Sequence, residues 1–76
     1  MFIKLTSDNG NIKYLYNADN IIYVEDVSYC GLSNSAKSAL HMINGTTNYV
    51  MESLEQIEDI MKGLESKWRL LYLFLN

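Results

Sequence analysis

Two short apolar runs flank Asn44-Gly45, and a helix signal follows at once; residues 39–64 (ALHMINGTTNYVMESLEQIEDIMKGL) constrain the fold more than any other stretch. Asn-Gly is a strong hairpin signal because both residues tolerate positive φ. The spacing predicts a fourth strand over 36–43 and a fifth over 46–51, paired antiparallel, with Tyr49 and Met51 on one face and Val50 on the other. Ser53 with Gln56 three residues on matches a capping box, in which each side chain satisfies the other's free backbone N–H. Glu52 and Glu55 fall where the positive end of a helix favours acid. Leu54, Ile57, Ile60, Met61 and Leu64 make one apolar stripe at helical spacing. Glu58 with Lys62 and Glu65 with Arg69 are favourable pairs, but each is worth only a few tenths of a kcal/mol. The stripe therefore decides that the helix forms and docks.

Upstream, the chain reads as more sheet. Residues 2–6 alternate so that Ile3 and Leu5 share the core face. Residues 7–11 (SDNGN) are a turn. A second strand over 12–16 sets Tyr14 and Tyr16 on the face of Ile12. After the turn cluster 17–20, a third strand over 21–28 sets Ile22 and Val24 on one face and Ile21, Tyr23 and Val27 on the other. Apolar residues on both faces imply a central strand, or one that bends across a small barrel. Residues 29–35 (YCGLSNS) read as an exposed loop, either a plain connection or the place for a recognition element. The expected fold is α+β: about five antiparallel strands in a bent sheet or partly open barrel, closed by a C-terminal helix. At 76 residues the chain is one domain, with sheet over 1–51, amphipathic helix over 53–68 and an apolar tail over 69–76.

The tail has two readings. The stripe continues through Trp68, Leu71 and Leu75, as one helix of about 33 Å would require. Alternatively the helix ends near 66–67, and 69–75 form a sixth strand or a flap. Either way Trp68, Leu70, Leu71, Tyr72, Leu73, Phe74 and Leu75 are too much apolar surface for water, and a homo-oligomer is expected to bury them. Six tyrosines add a second candidate surface. Tyr14, Tyr16, Tyr23, Tyr29 and Tyr49 either form a patch of the kind common at protein interfaces or line the rim of a small core. Trp68, Leu71, Tyr72, Phe74, Leu75, Tyr14, Tyr16 and Tyr29 are the candidate interaction residues.

Chemistry is harder to find. His41 is the only histidine, and no spacing supplies it with a polar partner, so a strand histidine at the sheet surface or core edge is expected. Cys30 is the only cysteine, which excludes an internal disulfide and a Cys-based zinc site and fits a reducing, cytoplasmic setting. Glu52, Glu55, Glu58 and Asp59 read as a solvated helix face, and Glu25 and Asp26 point to opposite faces of a strand. Neither Asn-Gly pair sits in a phosphate-loop pattern. No enzyme, cofactor or metal is expected. The net charge of -3, with lysines scattered along the chain, argues against nucleic acid or an anionic membrane as partner. The first residues lack the apolar core of a signal peptide, and the apolar run over 70–75 is too short to span a bilayer.

The succession FIKLT, NG, NADNIIYVE, ING and V-M-E-S-L-E-Q-I-E-D-I, over roughly residues 2–64, resembles the FlbD/SwrD-type family of small bacterial flagellar proteins. The resemblance implies a non-enzymatic accessory role. The 29–35 loop and the apolar tail depart from that pattern. An N…I…E strand, an NG hairpin and a closing helix are also similar to the carboxy-terminal half of LytTR-type DNA-binding domains, and imply a nucleic-acid-binding accessory role. Small acidic, strand-rich phage proteins share this outline too, and some of them inhibit a host protein. The leading expectation is a protein-interaction or assembly module that pairs with itself or another protein.

Overall fold

The computed structural model describes residues 1–29 and 36–75, with 65–75 described as backbone alone. Strands β1 (Phe2–Thr6) and β2 (Lys13–Asn17) form an antiparallel hairpin. A 3-10 turn over Ala18–Asn20, capped by the Asn17 side chain on the Asp19 N–H at 3.1 Å, leads into β3 (Ile21–Asp26). Strands β4 (Ser38–Met42) and β5 (Thr47–Val50) complete a second sheet in the order β3-β4-β5. Helix α1 runs over Leu54–Leu75.

The α+β class is as expected, but the single bent sheet or partly open barrel is not. Among the described residues the strands divide into a two-stranded and a three-stranded antiparallel sheet, and no barrel closes. One isolated bridge, Ser7 to Val50, links them. The reason lies at Thr6. It stands opposite Lys13 at a site of the β1–β2 hairpin where its backbone groups point away from β2. They turn to the other sheet: the Thr6 carbonyl accepts the Met51 N–H at 2.8 Å, and the Asp8 N–H donates to the Tyr49 carbonyl at 3.1 Å. The contact stops there because residues 8–12 fold back into the hairpin turn, where Gly10 (φ 76) and Asn11 (φ 57) take the left-handed conformation.

The core is small. Ile3, Leu5, Leu40, Val50 and Ile57 are buried together. Tyr16, Ala18, Ile21, Val24, Met42, Ile60, Met61 and Leu64 pack around them. Ile3 and Leu5 thus face inward as expected, Val50 joins them, and the helix stripe docks through Ile57, Ile60, Met61 and Leu64, while Leu54 at its start stays exposed. The capping box forms in full. The Ser53 N–H donates to Gln56 Oε1 at 2.8 Å, and the Gln56 N–H donates to Ser53 Oγ at 3.1 Å. Lys62 Nζ lies 2.7 Å from Glu58 Oε1. The helix also runs past residue 68 to Leu75, so the backbone takes the one-helix form. The side chains of Trp68, Leu71, Tyr72, Phe74 and Leu75, and the Glu65–Arg69 pair, lie outside the described residues, as does Cys30.

Two local features depart from expectation. The β4–β5 loop has three residues rather than two: the Met42 N–H donates to the Thr46 carbonyl across Ile43-Asn44-Gly45. Only Gly45 (φ 87) takes positive φ, whereas a two-residue Asn-Gly turn needs it at both positions. Asn44 instead turns its side chain to accept the Thr46 N–H at 3.0 Å and its hydroxyl at 2.7 Å. In β3, a bulge lies between Ile21 and Tyr23. It breaks the alternation, so Ile21 joins Val24 against the core while Ile22 is 63% exposed. The expected pairing of Ile22 with Val24 on one face is therefore wrong.

Candidate functional site

The outer face of the three-stranded sheet brings polar and aromatic side chains of all three strands together. In register, Tyr23, His41 and Thr47 form one row across the sheet, and Glu25, Ala39 and Tyr49 form the next. His41 is gripped on three sides. Its ring stacks on Tyr23 with centroids 4.2 Å apart and planes 16° from parallel. Its Nε2 lies 2.9 Å from Glu25 Oε1, one position along the same face. Its Nδ1 lies 3.5 Å from Thr47 Oγ1.

His41 does sit at a sheet surface, but the expectation that it lacks a polar partner is wrong. Neighbouring strands supply both partners, at sequence separations of 16 and 6. The carboxylate favours a proton on Nε2, which leaves Nδ1 to accept the Thr47 hydroxyl proton when the ring is neutral. Glu25, His41 and Thr47 thus have the connectivity of an acid, a base and a hydroxyl. Their geometry is weak for nucleophilic catalysis. The hydroxyl contact is at the outer limit of a hydrogen bond, and threonine here is fixed within a strand. Glu25 is about half exposed, so the pair stands in water rather than in a desolvated cleft. The stack and the His41–Glu25 hydrogen bond are better suited to hold a flat platform still. Exposed Ile22 and Ile43 flank it.

The second constellation is structural. Glu52 was expected on a solvated helix face, but it lies just before the helix and turns inward. Its carboxylate accepts the Thr6 N–H and the Thr6 hydroxyl, each at 2.8 Å. Its carbonyl accepts the hydroxyl of the fully buried Ser38, also at 2.8 Å. Glu52 therefore ties the hairpin sheet to the three-stranded sheet beside the Ser7–Val50 bridge. Glu55, Glu58 and Asp59 are exposed as expected.

The tyrosines do not form one patch. Tyr14 and Tyr16 meet edge to face on β2, with centroids 6.1 Å apart. Tyr16 packs against the core, and its burial, helped by the charges of Tyr14, Asp8 and Glu52, holds its phenol above the ordinary range. Tyr23 and Tyr49 lie on the other sheet, and Tyr29 is highly exposed beyond β3. The rim reading fits Tyr16; Tyr14, Tyr23 and Tyr29 are exposed but do not gather into the single patch.

Among the described residues, two hollows border α1, each of about 370 Å³. One lies against β3, lined by Val24, Leu54, Ile57 and Met61 with Glu58 and Lys62 at its edge. The other lies at the helix start, between Asp26, Lys37 and Glu55. Neither is lined by His41. Among the described residues no group of three His, Cys, Asp or Glu side chains could hold a metal ion, and no helix is long and apolar enough to cross a membrane. Comparison with protein-family models, with curated proteins and with solved structures finds no match.

Proposed function

We propose that this chain is a small non-catalytic binding and assembly module that works in the cytoplasm as a homo-oligomer. One observation carries the reading. Among the described residues, Phe2, Leu15, Ile22, Tyr23, Tyr29 and Ile43 are each more than half exposed, while the buried core cluster holds only Ile3, Leu5, Leu40, Val50 and Ile57. A chain that leaves as many large apolar side chains outside as it buries has surface suited to a partner. The held Tyr23–His41 platform supports the same reading, since rigid aromatic groups lose little freedom on binding. The residues behind the resemblance to flagellar accessory proteins, Asn9-Gly10, Asn44-Gly45 and Ser53, serve turns and a cap, and so bear on chain outline rather than on a role. The apolar positions Trp68, Leu71, Tyr72, Phe74 and Leu75 would extend the assembly surface along α1.

Light scattering of the full chain tests the proposal. The expected mass is a multiple of 8.8 kDa that rises with concentration. A steady monomer mass at every accessible concentration would overturn it. A chain stopped at Leu70 then tests the tail, since an unchanged oligomer mass would remove residues 70–76 from the interface.

A further inference from the structure

We propose that a second copy of this chain pairs with the free edge of β2, antiparallel and centred on Leu15, to make a four-stranded sheet β1-β2-β2-β1 across a two-fold axis. The proposal deepens the assembly reading and rests on it.

The backbone comes first. In the β1–β2 hairpin the Ser7 N–H donates to the Ile12 carbonyl and the Ala18 N–H donates to the Met1 carbonyl. An antiparallel ladder alternates, so Leu5 with Tyr14 and Ile3 with Tyr16 are the bonded pairs between those ends. The N–H and C=O of Lys13 and Leu15 therefore point away from β1. Among the described residues no strand pairs with that side of β2. A row of unpaired backbone groups is a template for another strand.

The side chains then choose the occupant. Centring the pair on Leu15 sets Leu15 against its copy, Tyr14 against the copy's Tyr16, and Lys13 against the copy's Asn17. Leu15 is 64% exposed and Tyr14 is 48% exposed, so both have surface to lose. The existing edge-to-face pair of Tyr14 and Tyr16 would become a cluster of four rings. No like charges meet, and each Lys13 lies near the acidic Asp19 end of the other copy. The strand is complementary to itself, the property a two-fold contact requires.

The free edge of β3 is guarded. The bulge at Ile22 interrupts its ladder, Glu25 and Asp26 put two carboxylates at its end, and α1 packs beside it. These are devices by which sheet edges resist pairing. β2 carries fewer of them: its one charge is Lys13 at one end, and its five residues run without a bulge.

The test uses charge at the centre. Lys4 stands opposite Leu15 on the same face, so Leu15→Lys lines up four ammonium groups in one row across the dimer. Leu15→Glu sets carboxylate against carboxylate at the axis. Leu15 is exposed, so both full-length variants keep the fold, as circular dichroism checks. In sedimentation equilibrium, wild type is expected as a dimer and each variant to self-associate about tenfold or more weakly. An equimolar mixture of the two variants is expected to recover the dimer. Recovery in the mixture supports the edge and its register together. A dimer whose strength neither variant changes overturns the edge but leaves assembly through another surface. Weakened variants that do not recover on mixing overturn the two-fold register. A wild type that stays monomeric overturns both the edge and the assembly reading.

Discussion

Replacing Glu52 by alanine should remove the side-chain link between the two sheets. The carboxylate accepts two bonds from Thr6, each 2.8 Å long, one from the backbone N–H and one from the hydroxyl. Hydrogen bonds to a charged group contribute roughly 1.5–3 kcal/mol each. The site is only partly buried, and water replaces some of what is lost, so the expected loss is about 2–4 kcal/mol. A 76-residue domain has roughly 4–11 kcal/mol of stability in total. The variant should therefore melt roughly 8–30 °C below wild type. The Ser38 bond goes to the Glu52 carbonyl and survives, so the substitution isolates the carboxylate. Two further variants grade the effect. Glu52→Gln keeps one acceptor for the N–H and lets the hydroxyl rotate to accept, and should lose about 1 kcal/mol. Thr6→Val removes only the hydroxyl bond at similar volume and should lose roughly 1–2 kcal/mol. Urea titration followed by far-ultraviolet circular dichroism gives the three values. If Glu52→Ala falls within about 0.5 kcal/mol of wild type, the two sheets do not depend on this link and the reasoning fails.

Three further outcomes follow from the same geometry. Ser53→Ala removes one half of the capping box and should destabilise the fold by about 1 kcal/mol in urea, with Gln56→Ala giving a smaller loss. Ile57→Ala opens the core beneath the helix and should lose roughly 2–5 kcal/mol, whereas Leu54→Ala at the exposed edge of the stripe should lose far less. Tyr16 holds its proton more tightly in the folded chain than in the unfolded one, because burial and nearby charges disfavour the phenolate. Its contribution is fully present below the ordinary phenol pKa of about 10 and is lost as pH rises through the higher folded value. Urea midpoints across pH 9 to 11.5 should thus fall more steeply for wild type than for Tyr16→Phe, and parallel curves would contradict this.

Much of this fold was legible because it rests on short-range signals. Ile3 and Leu5 alternate with polar neighbours, Asn9-Gly10-Asn11 carries its own left-handed residues, and Ser53 with Gln56 is a complete cap within four residues. Each decision is settled by steric or hydrogen-bonding terms inside one turn of chain. Glu52 was misread because position alone marked it as a helix-end acid. Its actual partner, Thr6, lies 46 residues away, and nothing local announces that bond.

The candidate site was hidden by register. A two-residue loop at Asn44-Gly45 sets His41 opposite Asn48; the three-residue loop observed sets it opposite Thr47. That single step exchanges which residues share a face along the whole of β5. On the other side of β4, the bulge at Ile22 makes a second one-residue step. It moves Ile21 inward and aligns Tyr23, not Ile22, with His41. The row Tyr23, His41, Thr47 exists only because both steps occur. The same bulge that aligns the row also breaks the β3 edge. One local irregularity thus gives the outer face its aromatic platform and makes β3 a poor edge for another strand, whereas β2 runs without a bulge.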